Sequence, residues 1–484
     1  MNISNRLAWV MFAAVGVILA ALVFEATARP DLFTNVKYVE AVLLLEIMAA
    51  AVYHYEAVFF PLLIGVFLWA GMPLPLEAEA MTARWIILGV GAWVGLIIWL
   101  RERRRHYFGA FHLIGLSAVL VAFVSTLVSG TALITLSKAA SLFLLLVYGS
   151  GGARVALDGR ETEFVRGLLL SCDVLTCAGA LSHIVIHYPL LGGSNAVGAL
   201  MALIVIPVEV WDLLVRNRED EIVRYRRIII LLLACVLLYQ SRSRASILAA
   251  CVATVLVCVI LRRRLFLLRV GLAFVFLLAA VGTLAPAQLE EYANEVRSDV
   301  LYKGKSSESG VWLSRRGPWD DTVASIRRHP WFGSGFGTSD VSMDPRRVLA
   351  RDVQVAHREH GNSYLAIAEY MGLVGIVPFG ALILLLLVKL LRTVYWLWST
   401  GNAGHPYVPI TAIVAAGLAH AFFEDWLFAP GNYLCVFFWS LAFTLMGFLP
   451  LARRAGHGHT AVQHLDWSRS FALPNSVPNL PSAR

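Results

Sequence analysis

Four short clusters set chemically capable side chains among long apolar runs. Ser241-Arg242-Ser243-Arg244 holds two arginines two residues apart, between two apolar stretches. A guanidinium at a membrane boundary needs water or an anion, and its planar fork matches phosphate oxygens two at a time. The pair fits a diphosphate clamp, against the plainer reading of two snorkelling interfacial arginines. Ser314-Arg315-Arg316-Gly317-Pro318-Trp319 adds a second basic pair, balanced between the same clamp and a solvated turn before a helix.

The third cluster is His357-Arg358-Glu359-His360-Gly361-Asn362-Ser363-Tyr364. A histidine there can take a proton from a sugar hydroxyl near neutral pH. His357, His360 and Tyr364 share one face if the stretch is helical. The alternatives are a metal site, which lacks an H-E-x-x-H pattern or a further ligand set, and an interfacial structural histidine. The fourth cluster, Glu424-Asp425 after His420, supplies a base, a counter-charge for the arginines, or a simple loop cap. Lys138, Asp173, His183 and Glu369 lie inside apolar runs and need partners, functional or packing.

The elements that must position these clusters are membrane spans. Of 484 residues, 58% are hydrophobic and 15% charged, where soluble domains carry about 25% charged. That balance excludes a soluble globular enzyme and a disordered chain. Apolar segments near 7–27, 39–54, 57–71, 84–100, 110–129, 132–149, 164–186, 195–215, 228–240, 245–261, 266–285, 361–388, 406–424 and 431–451 predict an all-α integral membrane protein of about 14 transmembrane helices (12–14). The short segments 57–71 and 228–240 are candidates for tilted, broken or re-entrant helices.

The net charge of +8 concentrates in arginine-rich loops that fall on one side of this count. That side is read as cytoplasmic, with both termini there, and nucleic acid is not implied. The first segment resembles a signal peptide at Ala26-Thr27-Ala28, but its long apolar stretch suits an uncleaved anchor better. All six cysteines lie in apolar runs, which implies neither disulfides nor metal.

The expected organisation is an N-terminal bundle of about 11 spans over 1–285, a large outer loop over 286–360, C-terminal spans over 361–452 and a disordered cytoplasmic tail over 453–484. The loop sits on the side that positive charge usually avoids, as do Arg242 and Arg244, which favours the clamp. Within it, Pro318-Trp319-Asp320-Asp321 predicts a helix start, with Trp319, Val323 and Ile326 on one apolar face and Pro330 as its stop. Gly333-Ser334-Gly335-Phe336-Gly337 then reads as a tight turn rather than a phosphate cradle. No nucleotide motif is present: Gly304-Lys305-Ser306 has Asp299 where a P-loop needs its first glycine.

Four motifs together resemble the bacterial O-antigen ligase and Wzy-type O-antigen polymerase superfamily: Ser243-Arg244-Ala245-Ser246; Arg316-x-x-Trp319; His329-Pro330 followed by Gly333-x-Gly335; and the run from His360 through Asn362-Ser363-Tyr364-Leu365 to Gly375. The resemblance spans about 240–376. It implies a metal- and nucleotide-independent glycosyltransferase in the bacterial inner membrane, active on the periplasmic face and without cofactors. The donor it implies is a glycan on undecaprenyl diphosphate; the acceptor is the lipid A core for a ligase or a lipid-linked repeat unit for a polymerase. Other polysaccharide-export proteins would be its partners in the bilayer. Carried over, Arg242, Arg244, Arg315 and Arg316 hold the diphosphate and His360 is the base. The family run sets His directly before Asn, whereas here Gly361 intervenes, which leaves His357 or Glu424 and Asp425 as alternative bases. A transporter of a lipid-linked saccharide is the competing class; it would favour repeats and paired midplane charges over one large asymmetric loop.

Overall fold

A computed structural model describes residues 56–72, 77–102, 109–153, 160–187, 191, 193–215, 221–263, 265, 268–269, 272, 313–339 and 360–448. The expected spans 7–27 and 39–54, most of 266–285, His357 and the tail 453–484 lie outside these residues. The described chain is all helical. Its elements are α1 (Glu56–Trp69), α2 (Glu77–Glu102), α3 (Ala110–Leu127), α4 (Ala132–Gly151), α5 (Glu161–Ile186), α6 (Ser194–Val215), α7 (Glu221–Gln240), α8 (Arg244–Ile260), α9 (Leu313–Arg328), α10 (Ser363–Thr400), α11 (Tyr407–His420) and α12 (Tyr433–Gly447). Five of them, α3 to α6 and α10, are long and apolar enough to cross a membrane. Shorter apolar helices lie within α1 and α2 and make up α8, α11 and α12.

Burial follows composition. The α12 sequence YLCVFFWSLAFTLMG is apolar on every side, and a helix of that kind belongs in the centre. It is buried from Tyr433 to Leu445, as is α6 from Val197 to Asp212. Small residues let α8 and α11 approach closely: Ala249 and Ala253 on one, Ala412 and Ala416 on the other, all fully buried. By contrast α5 and α10 expose Leu170, Val174, Val377, Leu384 and Leu391, as lipid-facing helices do.

The short segment 228–240 is the apolar part of a longer helix, because α7 begins at Glu221 within the basic stretch. There Arg227, 7% exposed, bridges α5 and α6: Nη1 lies 2.9 Å from both Asp173 and Glu209, and Nε lies 3.6 Å from Asp212. Arg226 pairs with Asp173 from the outside.

Helix α10 breaks at Gly372, whose φ of 57° and ψ of −160° no β-carbon tolerates easily. The break leaves helical carbonyls and amides without their partners, and the turn at 330–335 takes them up. Ser334 and Gly335 donate backbone N–H to the carbonyls of Glu369 and Tyr370 at 2.9 and 3.0 Å. Leu373 and Val374 donate to the carbonyls of Pro330 and Trp331 at 2.8 and 3.1 Å. A β-carbon on Gly372 would stand 2.5 Å from the Trp331 backbone. The glycine-rich stretch is thus a plug for a broken helix, the amides of Gly333 to Phe336 already bonded; Phe336 N–H donates to Ser125 Oγ, and Lys138 donates to the carbonyl of Gly337.

Candidate active site

Ser241-Arg242-Ser243-Arg244 is the sharp turn between α7 and α8. Ser243 caps α8, its hydroxyl accepting from Ser246 N–H, so Arg244 sits in the first turn. A cation there opposes the helix dipole, and a nearby anion would relieve that. Arg242 adopts φ 50°, the left-handed region that L-residues rarely enter, and is exposed. Beneath the turn a polar chain runs across to α11. Trp426 Nε1–H donates to His420 Nδ1 at 2.8 Å, which leaves the ring proton on Nε2, 3.2 Å from Ser246 Oγ. Ser246 and Ser243 hydroxyls meet at 2.8 Å.

The two arginines of α9 part company. The helix begins at Leu313, five residues before the expected start, with Pro318 inside it. Its buried side is Thr322 and Ser325, while Val323, expected on the apolar face, is exposed; the helix packs on α10 through small polar residues. Arg315 turns inward and donates from Nη2 to Glu424 Oε1 at 2.6 Å, each side chain 17% exposed. It is close enough to Arg244 for each charge to act on the other. Arg316, 76% exposed, faces solvent and pairs with Asp320 at 3.5 Å.

Gly361 makes room for Arg315. At φ +61°, a β-carbon there would lie 2.5 Å from Arg315 Nη1. Trp319 Nε1–H donates to the Gly361 carbonyl at 3.3 Å. The residue that interrupts the familiar His-Asn spacing is therefore the floor on which Arg315 lies.

His360 precedes α10 rather than sharing a face with Tyr364. Asn362 is the helix cap, its Oδ1 accepting from the N–H groups of Tyr364 and Leu365 at 2.8 and 3.1 Å. The imidazole is fully buried between two carboxylates. Nε2 lies 2.8 Å from Glu369 Oε2 and 3.2 Å from Ser339 Oγ. Nδ1 lies 3.4 Å from Asp425 Oδ2, which also accepts the His360 backbone N–H at 3.0 Å. Burial opposes the ring's charge, but Asp425 and Glu369 together outweigh it and raise the pKa above the ordinary 6.5.

A raised pKa in the folded state means stability that is fully present below about pH 6.5 and is lost as pH rises through the folded value. We expect the unfolding midpoint of the purified protein to fall as pH rises above about 6.5, and His360→Gln to flatten that slope. An unchanged slope in His360→Gln would place the titration elsewhere.

The structure thus gathers Arg315, Glu424, Asp425 and His360, with Arg244 alongside, and leaves Arg242 and Arg316 exposed. Glu424 and Asp425, adjacent in sequence, point to different partners: one to the arginine, the other to the histidine. Glu369, marked in sequence only as an intramembrane acid, is the ring's second carboxylate. Ser339 carries no sequence signal; only the docking of the glycine turn on α10 brings it to residue 360. The arrangement sets an anion-binding guanidinium beside a carboxylate that can accept a proton.

No curated protein matches the chain. Residues 229–380 match the model of a family described as O-antigen ligase, a stretch that holds Arg244, Arg315, His360 and Glu369 and ends before Glu424. Over that segment, under half of its length, the chain is similar to the O-antigen ligase/Wzy superfamily.

Proposed function

We propose that this protein is a membrane glycosyltransferase of surface-polysaccharide synthesis, moving a glycan from undecaprenyl diphosphate to a sugar hydroxyl on the periplasmic face of the inner membrane. The observation that carries the reading is Arg315, turned inward beside Arg244 and bonded to Glu424, next to an Asp425 that bonds His360. In the transfer, the acceptor oxygen bonds to the anomeric carbon. The bond from that carbon to the diphosphate oxygen breaks, and its electron pair leaves with undecaprenyl diphosphate. Fixed guanidinium groups stabilise the growing negative charge without having to reorganise.

The hydroxyl proton passes to Asp425, the member of the Asp425–His360–Glu369 set that is reachable at 16% side-chain exposure. A carboxylate is basic enough because the hydroxyl becomes acidic as its oxygen bonds to carbon. His360 fixes that carboxylate from behind through Nδ1, and Glu369 fixes His360. The diphosphate would be held by Arg244 and Arg315; the acceptor is the lipid A core or a second lipid-linked unit.

The test is turnover by purified protein in detergent, with an undecaprenyl-diphosphate glycan, EDTA and no nucleotide. Release of undecaprenyl diphosphate with a ladder of longer lipid-linked chains would mean a polymerase. Transfer only when lipid A core is added would mean a ligase. Absence of turnover with movement of donor across liposomes would replace the enzyme with a transporter.

A further inference from the structure

A clamp that stabilises a departing diphosphate has a second problem. Breaking the sugar–phosphate bond leaves one more negative charge on the product than the donor carried. The guanidinium groups that favour the transition state therefore hold the product more tightly than the substrate. The site needs something that takes the arginine back.

Glu424 is placed to do this. Its Oε1 occupies one Arg315 Nη2 donor at 2.6 Å. Neither partner can drift far. The Glu424 backbone carbonyl accepts from Ser363 Oγ at 2.6 Å and from Ser363 N–H at 3.1 Å, which ties it to the start of α10. Arg315 lies against Gly361 where a β-carbon would stand. The pair keeps a partly buried guanidinium satisfied while the site is empty, avoiding the cost of leaving it without an anion. A diphosphate oxygen that takes that donor displaces the carboxylate, and the displaced charge then repels the product.

On the reading of the site given above, we infer that Glu424 is a product-release residue: it competes with the diphosphate for Arg315 and speeds departure of undecaprenyl diphosphate. It acts through Arg315 and touches no reacting atom, so it is a positioning residue.

Binding of inorganic pyrophosphate to the full-length protein in detergent tests this, at fixed ionic strength. Glu424→Gln is expected to bind pyrophosphate about tenfold more tightly than wild type. Its steady-state turnover should fall while its single-turnover rate holds, and Glu424→Asp should restore wild-type affinity. In an Arg315→Ala background no donor is contested, so the effect of Glu424→Gln should shrink to the direct repulsion between the two anions. Glu424→Ser serves the same comparison if the glutamine variant does not fold. Unchanged or weaker pyrophosphate binding in a folded Glu424→Gln or Glu424→Ser protein overturns the inference. If Arg244→Ala and Arg315→Ala weaken pyrophosphate binding while loss of the Glu424 charge does nothing, the clamp stands and only the release role falls. If no form binds pyrophosphate, the clamp itself is wrong and the release role goes with it.

Discussion

Arg315→Ala is expected to lower glycan transfer by about 100- to 1000-fold, the usual loss when one fixed donor to a developing negative charge is removed. Arg316→Ala should stay within about twofold of wild type, as surface changes away from a site do. The two residues are identical and adjacent, so composition and net charge change equally in both variants. They differ in direction: Arg315 points at Glu424 with 17% of its side chain exposed, whereas Arg316 pairs with Asp320 at 76% exposed. Arg315→Lys separates charge from shape. It keeps a cation for Glu424 but gives up the planar fork, so it should fold as wild type does and recover only part of the rate. Measuring kcat and KM for all three against the same donor decides the matter. Equal losses at 315 and 316 would mean that the basic pair acts as a diffuse field, and the inward turn of Arg315 would have no catalytic meaning.

That contrast also marks where sequence reading stops. Arginines among apolar runs announce themselves, because each has to find an anion or water. Which arginine of a pair faces inward depends on the phase of α9, set by its start at Leu313 and by Thr322 and Ser325 packing inward. A stripe of Trp319, Val323 and Ile326 suggested another phase, since apolar spacing carries no information about a helix that docks through small polar groups. The long apolar run after residue 361 is legible as a span; its break at Gly372 is not. The break is stable only because the turn at 330–335, far away in sequence, supplies the missing backbone partners. That same docking puts Glu369 and Ser339 against His360. Two carboxylates side by side at 424 and 425 read as one feature, and only the fold assigns one to Arg315 and the other to His360.

The second large effect lies at the other end of α7. Arg227→Ala is expected to destabilise the protein by about 3–5 kcal/mol, the cost of removing one partner from a buried ion set. Arg227 is 7% exposed and is the common partner of Asp173, Glu209 and Asp212, whose side chains are exposed by 10%, 0% and 8%. Without it, three carboxylates from α5 and α6 face one another with too little compensating charge. Arg226→Ala is the control. It removes the same charge from the adjacent position, but at 53% exposure solvent already screens the pair, and the cost should stay below about 1 kcal/mol. Denaturant or thermal unfolding in a single detergent would read the difference. Comparable losses in the two variants would show that burial does not control the energetics of this cluster. Arg227 sits 13 positions before the end of α7, roughly 20 Å along the helix from the Arg244 turn. The folded fraction of Arg227→Ala should therefore keep a near wild-type turnover per folded molecule. A fall in that specific rate, with folding intact, would instead tie the buried cluster to the chemistry at the far end of the bundle.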